Sequence, residues 1–263
     1  MKGKTALVTG AARRIGRAVA VALAEVGVNV VVHYRESAEE AEEVVQELAA
    51  CGVKSVAVAA DFDEAGSCEI LFEAGLGLTG ALDIVINSAS IFESVSMDDA
   101  TPAELRRNFE VNALSPLILT RLLARHLAQR RGNAPGRARK DGAESIDAGG
   151  VVNFLDSRIT DYDRNHFPYA VSKRALHAIT RMTAIEYAPY VRVNAVAPGL
   201  ILPPPGEGTD YLNRFKTSNP MQAYGTLDQI TRSVMYLLEN DFVTGQVLYV
   251  DGGRHMKGSV YGS

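Results

Sequence analysis

The chain of 263 residues has no tryptophan and only two cysteines, Cys51 and Cys68. Two thiols make neither a disulfide framework nor a four-ligand metal set, which predicts a reducing compartment and no metal site. The sequence also lacks any uninterrupted apolar run near the roughly 18 residues that cross a bilayer. No signal peptide is read at the N-terminus, because the apolar stretch 5–12 is short and Arg13-Arg14 closes it. Neither sign of charge dominates. The 27 basic and 31 acidic side chains leave a formal charge of −4, without the broad positive face that nucleic acid demands. These absences predict a soluble, cytoplasmic protein, with neither nucleic acid nor membrane as partner. What is present is 47% hydrophobic residues on a chain long enough to bury a sizeable core.

Short β-rich runs alternate with longer helical stretches. Strands are predicted at 4–9, 28–33, 54–59, 82–87, 150–155, 191–196 and 246–250. Most are nearly continuous runs of Val, Ile, Leu and Ala, as expected where both faces of a strand are covered. Helices are predicted at 15–26, 38–50, 64–78, 102–127 with a break near Pro116, 169–187 and 227–239. Such alternation argues for one α/β domain over 1–263, a doubly wound parallel sheet of about seven strands with helices on both faces. Two segments break the rhythm. Residues 129–149, rich in Gly, Ala, Arg and Asp, read as a surface insertion whose cations either meet solvent or attract an anion. Residues 200–225 begin with Pro203-Pro204-Pro205-Gly206 and turn amphipathic around 211–215. They follow a strand end, where open α/β sheets build substrate pockets, and read as a substrate lid or a plain connection.

The first predicted strand runs directly into Thr9-Gly10-Ala11-Ala12-Arg13-Arg14-Ile15-Gly16. Gly10 permits a tight turn, the small residues let backbone N–H groups approach an anion, and Gly16 lets the helix pack close. The spacing is Gly, five residues, Gly, so the full dinucleotide fingerprint is not met, but the position within a βαβ unit favours a nucleotide loop. The second strand ends in His33-Tyr34-Arg35-Glu36-Ser37. A carboxylate at the strand end would select a free ribose hydroxyl, whereas Arg35, with Arg14 converging on it, suits a 2′-phosphate. This predicts NADP(H); the alternative is that Arg13, Arg14 and Arg35 are only surface charges.

Tyr169 and Lys173 stand four residues apart at the start of a predicted helix, on one face. A phenol ordinarily titrates near pH 10, and a neighbouring ammonium would favour its phenolate and bring it toward the working range. A lone Tyr-x-x-x-Lys says little. Here it accompanies the nucleotide loop, Asp61 after the third strand, Asn87-Ser88-Ala89-Ser90 after the fourth, Asn112, Pro198-Gly199 and Val250-Asp251-Gly252-Gly253.

In that ordered set the chain resembles the short-chain dehydrogenase/reductase family over nearly its whole length. Two departures narrow the resemblance. Arg14 replaces the family's middle loop glycine, and Asp156, thirteen residues before Tyr169, replaces its serine. Both departures, together with Ser90, Phe92 and His33-Tyr34, resemble the pteridine reductase and dihydromonapterin reductase branch. The resemblance implies a Rossmann-type sheet and Tyr169, Lys173, Asp156 and Asn112 as catalytic residues. It implies that Lys173 lowers the Tyr169 pKa and holds the nicotinamide ribose, while Asn112 orders a water. Cofactor contacts are implied at Gly10, Arg13, Arg14, Ile15, Gly16, His33, Tyr34, Arg35, Ser37, Asp61, Phe62, Asn87, Ser88, Ala89, Lys173, Pro198, Gly199 and Ile201. Arg14, Ser90, Phe92, Asp156 and Tyr169 would hold a pterin or folate-like substrate, with Phe92 stacked on it. A homotetramer or homodimer is implied by kinship alone.

The chemistry of Asp156 stands beside the resemblance. A serine hydroxyl can donate to a growing alkoxide, whereas a carboxylate would put negative charge next to it. A pterin instead offers ring nitrogens and an amino edge that a carboxyl group can bond or protonate. The expected activity is NADPH-dependent reduction of a pterin or dihydrofolate. The alternatives are reduction of another carbonyl or imine, or a non-catalytic NADP-binding protein.

Overall fold

In the computed structural model, which describes residues 1–132, 137–138, 144–145, 148–161 and 163–259, the chain runs through nine strands. They are β1 (Thr5–Thr9), β2 (Asn29–Tyr34), β3 (Ser55–Ala59), β4 (Ile84–Asn87), β5 (Arg137–Ala138), β6 (Glu144–Ser145), β7 (Gly149–Phe154), β8 (Val191–Pro198) and β9 (Val247–Val250). Seven form a sheet in the order β3-β2-β1-β4-β7-β8-β9, every pairing parallel. Inside the 129–149 segment the two-residue β5 and β6 pair with each other, antiparallel. The rest of that predicted insertion, 133–136, 139–143 and 146–147, lies outside the described residues.

Apolar residues on successive strand positions face opposite layers. Val8, Val30, Val32, Ile84 and Ile86 pack on α1 (Arg14–Glu25), α2 (Ala38–Ala50) and α8 (Leu227–Glu239). Leu7, Val31, Val85, Val151 and Val193 pack on α3 (Ser67–Thr79) and α5 (Ser115–Arg131), and the same layer takes in Ala184 of α6 (Phe167–Glu186). This two-sided burial is why the strand sequences read as unbroken apolar runs rather than alternating ones. No helix among the described residues is long and apolar enough to cross a membrane.

Chain order reverses between β1 and β4, whose ends align as Thr9 opposite Asn87. At such a reversal the following loops diverge to opposite faces and leave a crevice beyond the strand ends. Two differences from the predicted elements touch that crevice. The helix predicted from 102 breaks earlier than Pro116. It runs as α4 (Pro102–Phe109), then as a π-helical turn at Glu110–Leu114, before α5 begins. The backbone stays helical through Leu114 and Ser115, so Pro116, which lacks a backbone N–H, follows directly on the π-helical turn. Within 200–225, a short helix α7 (Thr209–Phe215) holds Tyr211 and Phe215 in ring contact.

The crevice opens only because the β1–α1 turn is so tight. A Cβ on Gly16 would lie 2.2 Å from the Gly10 carbonyl oxygen, and Gly10 itself has φ +64° beside the Ala89 backbone. Gly16→Ala should therefore cost about 1–3 kcal/mol, read as a lower urea midpoint with an unchanged m-value.

Candidate active site

Backbone placement at the nucleotide loop rests on buried polar side chains. The Thr9 hydroxyl accepts the N–H groups of Ser88 and Ala89, each at 3.0 Å, and so clamps the β4 turn against β1. Asn87 donates to Asn153 on β7 at 2.8 Å. His33 is buried, its Nδ1 accepting the Gly10 N–H at 3.1 Å while Nε2 lies 3.0 Å from the Ala60 carbonyl. These partners require the proton on Nε2. Burial pushes the His33 pKa down from 6.5 to about 4, so the ring is neutral at ordinary pH. His33 therefore brackets the loop, with Phe62 tilted against its ring at 4.7 Å. Tyr34 packs on the core edge, and the Asp61 carboxylate accepts from Asp63 N–H.

The arginines divide differently from the expectation. Arg13 ion-pairs with Glu40 in the first turn of α2, and Arg35 with Glu36 just before its cap residue, Ser37. Arg14 does not join them. It sits at φ +55°, where glycine is most at ease, and its guanidinium donates to the Pro203 carbonyl at 2.9 Å. The predicted convergence of Arg14 on Arg35 is thus corrected: Arg13 and Arg35 flank the start of α2, and Arg14 ties the loop to 200–225. The reason is directional, since a left-handed residue sends its side chain away from the path of its neighbour.

A cleft of about 330 Å³ runs from Gly10, Arg13 and Ile15 past Ser88 and Ala89 to Tyr169, Lys173 and Pro198. Gly199 donates to Val250 and closes on Asp251 with no room for a side chain. The Ile201 side chain is buried in the core, with its tip in the space a Cβ on Gly225 would need.

At the cleft's far end the Tyr169 hydroxyl donates to Asp156 Oδ2 at 3.0 Å. Burial and the adjacent Asp156 carboxylate push the phenol well above its ordinary value, so Tyr169 is a held proton donor. The expectation that Lys173 lowers the Tyr169 pKa is therefore corrected. Lys173 is buried, its Nζ donating to the Phe154 carbonyl at 2.8 Å and lying 5.7 Å from the Tyr169 ring centre. Burial pushes its pKa from 10.5 down to about 8 against the pull of Asp156, leaving it charged at neutral pH.

Asn112 occupies the π-helical turn, fully buried. Its Oδ1 accepts from Ile91 N–H and the Ser90 hydroxyl, while the two protons of its amide are shared among the Ile91 carbonyl, Asn108 and Ser172. With both ends engaged, the Asn112 side chain fixes the 90–92 turn. That turn presents Phe92, which is 53% exposed and edge-to-face with Tyr169 at 4.7 Å. One face of Phe92 carries the His166 ring, stacked at 3.9 Å.

Sequence reasoning missed His166, and with it Arg158 and Asp163. Asp163 bridges the other two, 2.9 Å from Arg158 and 3.1 Å from His166. The signal was present as Asp-x-Arg from 156 and Asp-x-x-His from 163, ending at the start of α6.

A buried ammonium with a depressed pKa opposes folding until it loses its proton. The wild type should gain stability over Lys173→Met as pH rises from about 8 toward 10.5, by up to roughly 3 kcal/mol, in urea melts across that range.

Comparison with known proteins gives this arrangement its kinship. A family model described as enoyl-(acyl carrier protein) reductase matches residues 10–255. An uncharacterised oxidoreductase of Methylorubrum extorquens is 32% identical over 262 residues, covering 96% of this chain and 98% of its own. Versicolorin reductase 1 of Aspergillus parasiticus is 32% identical, covering 96% of this chain and 97% of its own. Among solved structures, FolM alternative dihydrofolate reductase 1 from Brucella canis, complexed with NADP, superposes with a TM-score of 0.84. It is 31% identical and covers 99% of this chain and 96% of its own. The chain belongs to the short-chain dehydrogenase/reductase family of oxidoreductases.

Proposed function

We propose that this oxidoreductase takes NADP(H) and reduces a pterin or dihydrofolate-type heterocycle. The observation that carries the reading is the Tyr169–Asp156 hydrogen bond at the end of the cleft, beside a half-exposed aromatic ring. The Brucella relative, an alternative dihydrofolate reductase complexed with NADP, supports it.

The residues present fit a phosphorylated dinucleotide. A Cβ would fill the gap between Gly16 and Gly10, so the backbone there can lie against a pyrophosphate. Arg13 and Arg35 are the cations available to a 2′-phosphate at the start of α2, and each would exchange a glutamate for it. Pro198 and Lys173 line the end where the nicotinamide ribose would be held. When bound, the dinucleotide supplies the hydride.

The chain's own residues supply the rest. Tyr169 and Asp156 would supply the proton as a pair: a proton taken up by the Asp156 carboxyl lets the phenol pass its own to a ring nitrogen without leaving two negative charges side by side. Asp156, already accepting from the phenol, can also accept from an amino or ring N–H and so orient the heterocycle's edge. The same carboxylate would repel the oxyanion that forms when a simple ketone is reduced. Phe92 offers ring surface to a planar substrate, and Ser90 and Arg14 stand at the rim. Assembly as a homodimer or homotetramer belongs to the same proposal, supported by Met182 and Ile185, exposed on α6.

A second reading, reduction of a polyketide-type keto group, is favoured by the kinship to a granaticin polyketide synthase putative ketoacyl reductase of Streptomyces violaceoruber, 33% identical over 258 residues. NADPH consumption with dihydrobiopterin, dihydromonapterin, dihydrofolate and simple ketones separates the two. Turnover confined to ketones overturns the pterin reading. Tyr169→Phe should lower turnover by about 100-fold or more while NADPH affinity, measured by calorimetry, stays within about twofold. Arg13→Ala and Arg35→Ala should each weaken NADPH binding by about tenfold or more and leave NADH binding nearly unchanged.

A further inference from the structure

The contacts around Asp156 close into a ring. Asp156 accepts Tyr169; Tyr169 meets Phe92 edge-to-face; Phe92 stacks on His166. His166 pairs with Asp163, Asp163 with Arg158, and Arg158 returns to Asp156. The return is double. The Arg158 backbone N–H donates to Asp156 Oδ1 at 2.7 Å, and its guanidinium Nε lies 3.7 Å from the same oxygen. Arg174 on α6 anchors the connection by donating to the Ile159 and Asp161 carbonyls.

We propose that Arg158, Asp163 and His166 are positioning residues that fix the orientation of the Asp156 carboxylate at one end and the ring plane of Phe92 at the other. This inference rests on the proposed substrate lying against Asp156 and Phe92. The two ends are joined through Arg158: its backbone N–H holds Asp156 while its guanidinium is held by Asp163, so the carboxylate keeps its orientation only while the connection keeps its shape. At the far end, a half-exposed Phe92 would turn freely without a partner. His166, tethered through Asp163, holds its plane before a flat ligand arrives, so less ordering remains for binding.

The test uses the full-length protein and begins without turnover. The ¹H–¹³C ring signals of Phe92, assigned through Phe92→Leu, should lose the ring-current shift from His166 in His166→Ala and again in Asp163→Asn, which frees the imidazole from its tether. Phe92 signals unchanged in both variants overturn the proposal. In steady-state kinetics Arg158→Met should lower kcat by about tenfold, with Arg158→Lys restoring most of it, whereas His166→Ala should act mainly on KM for the flat substrate. The same split in Arg158→Met and His166→Ala overturns the two-ended role. Arg158→Lys and Asp163→Asn retain the shape of the connection, so the test survives if Arg158→Met does not fold. Absence of pterin reduction with the Phe92 signals moving as stated would overturn the substrate reading alone.

Discussion

A phenol that donates into a carboxylate inside a partly buried cleft sets the terms for everything around it. The bond between Tyr169 and Asp156 keeps the proton on tyrosine, because ionising the phenol would place two negative charges side by side. Supporting groups must then tolerate a fixed negative charge at the floor of the site. Lys173 does so as a buried cation on the α6 face below, and the Arg158 N–H and guanidinium do so from the β7–α6 connection. A site built on serine would demand none of this, and the connection would be free to carry other residues.

The second organising constraint is the close approach of chain to chain at the sheet's reversal. Gly10 and Gly16 bring the β1–α1 turn within contact of the β4 turn, and Thr9 and His33 hold those backbones from below. Both holding groups act as neutral partners: a hydroxyl that accepts two N–H groups, and an imidazole kept uncharged by burial. A neutral bracket leaves the loop's exposed backbone N–H groups as the local charge, which suits the proposed contact with the dinucleotide's phosphates. The arginines that could bind anions sit outside the bracket, paired to glutamates.

Asn112 shows how an irregular helix can carry a site. The π-helical turn at Glu110–Leu114 places an asparagine side chain wholly inside, where its amide is shared among Ile91, Asn108 and Ser172. The backbone of the 90–92 turn hangs on that side chain, while His166 holds the plane of the Phe92 ring. Cleft floor, aromatic surface and nucleotide loop are therefore each fixed by a different buried polar group.

The sequence by itself determined the elements and the layer order. Two-sided burial writes itself as unbroken apolar strands, and a Gly-flanked turn after the first strand marks the crevice. It also determined which residue types meet: Tyr169 and Lys173 share a helix face by spacing alone, and Asp156 lies at the end of an adjacent strand. Only the tertiary structure decided what those side chains do to one another. Spacing cannot reveal that Asp156 rather than Lys173 is the phenol's nearest charge. Nor can it reveal that Arg14 turns to Pro203 while Arg13 takes the place beside α2, or that His166 backs Phe92. Those outcomes depend on the direction of each side chain and its depth below the surface. Hydrogen-bond and Coulomb energies change steeply over the few ångströms involved, and no pattern along the chain encodes that distance.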